Sequence, residues 1–156
     1  MNSQETDKGW YIAKLLWPGL VLQPHRSLLD RYGLDAHLDG SPTQIKYDSR
    51  IVGSNNLYHE IYEKTANSPW QEWRKSPSLA TIYIFTTESN SEYIGYKVKV
   101  DILANIERGR KLLAINPNNG GCTSMGFIIP LDEIKYDKRM QPKNGEPTDM
   151  PFNEVT

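Results

Sequence analysis

A chain of 156 residues has room for one domain with a single buried core, and its 18 basic against 19 acidic side chains leave a formal charge of −1. A near-neutral chain sets up no overall field to draw in nucleic acid or an anionic membrane, so neither is expected as a partner. The single cysteine, Cys122, excludes an intramolecular disulfide and is expected to be an inert, half-buried thiol.

Residues 1–8 are polar and are expected to be disordered. The apolar stretch 15–22 is broken by Pro18 and Gly19, so it reads as neither a signal segment nor a spanning helix. That fits a soluble protein and leaves open secretion after removal of a signal segment. Residues 9–16 and 20–22 flank Trp17-Pro18-Gly19 and read as an early strand ending in a turn or bulge. Pro24 then opens a short helix, with Leu28 and Tyr32 four apart and Gly33 just past its end. Residues 35–48 are rich in Asp, Gly, Ser and Pro and read as a loop with a short strand at 44–47.

Ser54-Asn55-Asn56 resembles a helix entry, and the i, i+4 pairs Leu57/Ile61 and Tyr58/Tyr62 predict a helix over 57–64. A second helix is expected from Ser68, with Pro69 in the first turn and Gln71 completing a reciprocal cap. Trp70 and Trp73 then face the core, since no basic groove accompanies them to make a nucleobase platform. From Thr81 the period changes to alternation. Ile82 and Ile84 against Tyr83 and Phe85, then Ile94, Tyr96, Val98 and Val100 against Gly95, Lys97, Lys99 and Asp101, predict strands at 81–87 and 93–101 joined by a polar loop.

Residues 111–115 form a further strand candidate, 116–121 a turn, and 127–131 a strand that Pro130 places at an edge or an end. Beyond Tyr136, Pro142, Pro147 and Pro151 lie among charged residues, which predicts a polar tail from 141 outside a single domain of residues 9–140. The fold class is α+β: short N-terminal helices packed on a mixed or antiparallel sheet formed mostly after Thr81.

Side chains able to do chemistry are scattered. His25, His37 and His59 have no metal-ligand spacing, and His59 and Glu60 would point about 100° apart on a helix, so no metal is expected. The histidines are assigned to the surface or to a satisfied core. His25-Arg26-Ser27 is similar to half of a two-histidine phosphoesterase motif whose other half is missing. Arg108-Gly109-Arg110-Lys111 is the densest basic run and reads as a solvated turn beside Glu107 rather than a phosphate site. Residues 116–121 could present amides to an anion, but lack the following helix and the lysine of a phosphate loop.

Five segments, in order, resemble the ADP-ribosyltransferase fold of bacterial and fungal enterotoxin A-subunit proteins. They are Pro24-His25-Arg26-Ser27-Leu28-Leu29-Asp30-Arg31-Tyr32-Gly33-Leu34, Asn56-Leu57-Tyr58-His59, Thr86-Thr87-Glu88-Ser89, Tyr96-Lys97-Val98-Lys99-Val100-Asp101 and Ile129-Pro130-Leu131-Asp132-Glu133-Ile134. Together they span about residues 14–140. The family holds NAD with an arginine on its first strand, where this chain reads Leu15-Leu16-Trp17, and uses a Glu-x-Glu pair, where residues 116–127 hold no carboxylate.

The resemblance therefore implies a degenerate member, a toxin- or effector-type domain that needs no cofactor and works by recognising another protein. An active NAD-dependent ADP-ribosyltransferase or NAD hydrolase is the alternative. It would take NAD as cofactor, with Arg26, Arg31 and Thr87 on the nucleotide and Arg26, Thr86 and Glu88 at the reaction, Glu88 supplying the carboxylate. A third reading is an immunity or inhibitor protein of unrelated α+β fold, which a near-neutral, Tyr-rich surface permits.

Overall fold

Trp10, Ala13, Leu16, Trp17 and Leu20 are buried at steps of three or four, the period of a helix, and they make the first segment α1 (Ser3–Leu16) instead of the expected strand. The structure is a computed structural model that describes residues 3–23, 34–65, 74–75, 78–109, 114–119, 122–143 and 153–155. α1 begins inside the stretch expected to be disordered. Two cations stand at its C-terminal end: Arg139 donates to the carbonyl of Leu16, the last helical residue (2.9 Å), and Lys14 Nζ donates to the carbonyls of Pro18 (2.8 Å) and Leu20 (2.6 Å) in the segment that follows. Positive charge belongs there, where the last carbonyls have no partner of their own and the helix dipole is negative.

The remaining elements are β1 (Val21–Leu22), β2 (Ala36–Leu38), β3 (Ser41–Tyr47), the single turn α2 (Ile51–Ser54), β4 (Asn56–Thr65), β5 (Arg74–Lys75), β6 (Ile82–Glu88), β7 (Glu92–Lys99), α3 (Val100–Gly109), β8 (Ala114–Asn119), β9 (Cys122–Pro130), β10 (Asp137–Pro142) and β11 (Asn153–Val155). Among the described residues a first sheet runs β1-β2-β3-β6-β7-β10-β11, antiparallel except where β3 and β6 pair in parallel, and a second, antiparallel sheet runs β5-β4-β9-β8. Helices packed on mixed and antiparallel sheets make the fold α+β, as expected.

The first sheet is apolar on both faces. Ala36, Leu38, Ile45 and Ile84 meet α1. Tyr83, Phe85, Tyr96 and Val98 face the other way, onto Leu57, Ile61, Phe127 and Ile129 of the second sheet and Leu103 of α3. The order is thus helix, sheet, sheet. Gly95 on β7 lets the end of α1 lie directly on the strand, since a Cβ there would come within 2.6 Å of the Trp17 ring and 2.9 Å of Leu16 Cδ1.

Several expectations change. Residues 56–65 form β4, not a helix, because i, i+4 pairs share a face in both structures: Leu57, His59 and Ile61 point inward and Tyr58, Glu60 and Tyr62 do not. The strand expected to run to Asp101 ends at Lys99, where Val100 opens α3 and its amide bonds the Thr81 carbonyl (3.0 Å). The expected turn at 116–121 is partly strand, with Asn119 opposite Cys122; Pro130 stands at a strand end, one of the two places expected for it, while β9 lies inside its sheet and not at an edge. The helices expected over 24–33 and from Ser68 lie outside the described residues.

The C-terminal segment also contributes strands. β10 pairs with β7 along its whole length and β11 pairs back on β10. The anchors are mostly polar: Arg139 lies 5.0 Å from the Trp17 ring, Asp137 pairs with Lys97 at 3.4 Å, and Lys143 bonds Glu88 at 3.0 Å. Deleting residues 141–156 removes the Gln141 and Pro142 pairings, the Lys143 ion pair and β11. A loss of about 2 kcal/mol is expected, seen as a melting temperature lower by roughly 5 °C; an unchanged melting curve would show that this end adds nothing.

Candidate functional site

Thr86, Thr87 and Glu88 end β6, and alternation sends Thr86 and Glu88 toward α1 and Thr87 to the opposite face. Thr86 is fully buried, and its hydroxyl donates to the Lys46 carbonyl at 2.9 Å. The helix lies directly over it, since a Cβ on Gly9 would stand 3.2 Å from Thr86 Oγ1. Thr87 is equally buried, and its hydroxyl has no partner among the described residues. Neither threonine can touch a ligand from these positions.

Glu88 is the half-buried member of the three, and it is charge-paired. Its Oε1 accepts from Lys143 at 3.0 Å and stands 3.5 Å from Lys8, while Oε2 is buried without a partner. The two lysines lie over the rings of Tyr93 and Tyr47, each 5.4 Å from the centroid. Burial, reinforced by Glu88, holds the Tyr47 phenol above its ordinary pKa. Arg26 and Arg31 lie outside the described residues. Trp17 is buried on the α1 face of the first sheet, whereas β8 and β9 belong to the second sheet.

A cavity of about 160 Å³ lies elsewhere, between the sheets and α3. Ile45 faces α1, so its neighbours Gln44 and Lys46 face the cavity. α3 turns Val100, Leu103, Ala104 and Glu107 to it at helical spacing, and β4 contributes His59 from its inner face. His59 is 8% exposed and stands edge-on to Tyr83, with centroids 5.3 Å apart. Tyr83 in turn stacks on Phe85. The Tyr83 hydroxyl donates to Ser78 Oγ (2.8 Å), which donates to Gln44 Oε1 (2.8 Å). Burial raises the pKa of this phenol, the Ser78 contact opposes the rise, and the Glu107 charge adds to it.

These groups offer donors, an aromatic wall and charges of both signs. The volume is well below the roughly 300–1,000 Å³ of pockets that hold drug-sized ligands, so a dinucleotide does not fit. The expected satisfied-core role of His59 agrees with its burial, but its place beside a cavity is hidden when 57–64 is read as a helix. The signal was the alternation of Leu57, His59 and Ile61. Among the other histidines, His25 lies outside the described residues and His37 Nδ1 pairs with Gln23 Nε2 at 2.9 Å.

Among the described residues no group of three or more His, Cys, Asp or Glu is arranged to hold a metal ion, and no helix is long and apolar enough to cross a membrane. In comparisons with known proteins, the chain matches no family model, no curated protein and no solved structure.

Proposed function

We propose that this protein is a recognition domain: a toxin- or effector-type module on a degenerate scaffold resembling the ADP-ribosyltransferases, which acts by binding another protein and uses no cofactor. The observation that supports this reading is the state of Glu88. Glycosyl transfer from NAD passes through a positively charged ribose that a positioned carboxylate must stabilise. Glu88 faces two lysines, which would repel that cation and must be displaced before the carboxylate is free. Losing a preorganised electrostatic partner of this kind costs roughly 10²–10³ in rate.

The test is release of nicotinamide from NAD by the purified chain, together with crosslinking in the source cell and reconstitution of any captured complex from purified components. The expected result is no release above buffer, and a reconstituted complex with micromolar or tighter affinity. Turnover that Glu88→Gln abolishes, with no protein complex reconstituted, would overturn the reading in favour of the enzyme.

A further inference from the structure

The cavity beside His59 contains two opposite charges that do not meet. Lys46 reaches it from β3 and Glu107 from α3; both are half-buried, and neither has an ion-pair partner among the described residues. Partial burial weakens the hydration of each charge, and no opposite charge among the described residues replaces it. Gln44 stands beside Lys46 with Oε1 already accepting from Ser78, which leaves its amide N–H groups to donate.

We propose that this cavity binds a small zwitterion, an amino acid whose carboxylate pairs with Lys46 and the Gln44 amide and whose ammonium pairs with Glu107. The charges exclude the simpler classes. A plain anion would face Glu107 and Glu60, and a plain cation would face Lys46, so only a ligand carrying both signs gains at each end. The size agrees, because about 160 Å³ is on the scale of a cavity that holds a six-membered ring, which suits a ligand of roughly six or seven non-hydrogen atoms. The edge-on His59 and Tyr83 rings, with Leu103, give the methylene groups an apolar wall. This site stands apart from protein recognition and does not depend on it.

The test is calorimetric titration of the full chain at neutral pH with glycine, β-alanine, 4-aminobutanoate and 5-aminopentanoate, a series that varies the distance between the charges. Butylamine and butyrate serve as half-ligands. One length should bind with millimolar or tighter affinity, and each half-ligand should bind at least about 10-fold more weakly. Lys46→Gln and Glu107→Gln should each lower the affinity by about 10-fold or more, with unchanged circular dichroism. The exchanged pair, Lys46→Glu with Glu107→Lys, should recover part of the binding that either Gln variant loses, since a linear zwitterion can enter reversed, and stay below the unaltered chain, since the Gln44 amide N–H groups then face the ammonium. Should either variant lose its fold, shifts of the His59 and Tyr83 ring resonances in the unaltered chain on titration decide the matter. No binding at about 10 mM, half-ligands as good as the zwitterion, or ring resonances that do not respond would each overturn the proposal.

Discussion

Replacing Gly126 with alanine is expected to disrupt the second sheet. Gly126 on β9 lies opposite Glu60 at the point where the register slips, since Tyr62 pairs with Met125 and leaves Ile61 as the extra residue of a bulge. A Cβ there would stand 2.8 Å from the His59 carbonyl carbon and 2.9 Å from Glu60 Cα, and closer still to the His59 oxygen. These are backbone atoms, with no rotamer by which to withdraw, so the strands must part or shift. A shift by one residue would turn Phe127 and Ile129 out of the core. The cost is expected to exceed about 3 kcal/mol, read as a lower urea midpoint or as insoluble protein. Gly53→Ala is the control: open space surrounds that position, and a change within about 0.5 kcal/mol is expected. An unchanged midpoint for Gly126→Ala would show that β4 and β9 do not approach this closely.

Val98→Asp is expected to cost about 4 kcal/mol or more. Val98 is 1% exposed on β7, fifth of the seven strands in the first sheet, opposite Tyr83 and within the cluster that joins both sheets. A carboxylate placed there loses its water and gains no donor, so it would be held protonated in the folded chain. The sign follows by linkage. A folded-state pKa raised above the unfolded value means that the ionisation penalty is absent below about pH 4 and grows as pH rises above it. The gap between variant and parent should therefore narrow in acid. A variant that melts with its parent at neutral pH would place this face in solvent.

The sequence showed the β6–β7 hairpin plainly, because Ile82 to Lys99 alternates without ambiguity and a polar loop marks its turn. The period of 3.6 that marks α1 is present in Trp10, Ala13, Leu16 and Trp17, but Pro18 and Gly19 directly after it also fit the end of a strand. For β4, the spacing of Leu57 and Ile61 is even and fits both periods, and only His59 between them separates the readings. β10 had little apolar signal to find. Met140 is its one large apolar residue, and it is held through Asp137, Arg139 and backbone pairing, whose partners lie far away in sequence. The cavity was beyond local reading for the same reason, since Gln44, His59, Tyr83 and Glu107 come from four separate elements.

The parallel pairing of β3 with β6 has a consequence for the growing chain. After Tyr47 the polypeptide leaves the first sheet, lays down β4 and β5, and returns at Ile82 beside the strand it left. It leaves again after Lys99 to make β8 and β9, and returns as β10. β4 must therefore wait for residues 122–130 before its longer edge is covered. On a ribosome adding about 5–20 residues per second, that delay is several seconds, during which Leu57 and Ile61 have only part of their eventual cover. Folding dominated by such distant pairings is slow, and an uncovered strand edge invites pairing with another chain. Synthesis that stalls between residues 75 and 122 should thus yield aggregates rather than a stable half-domain.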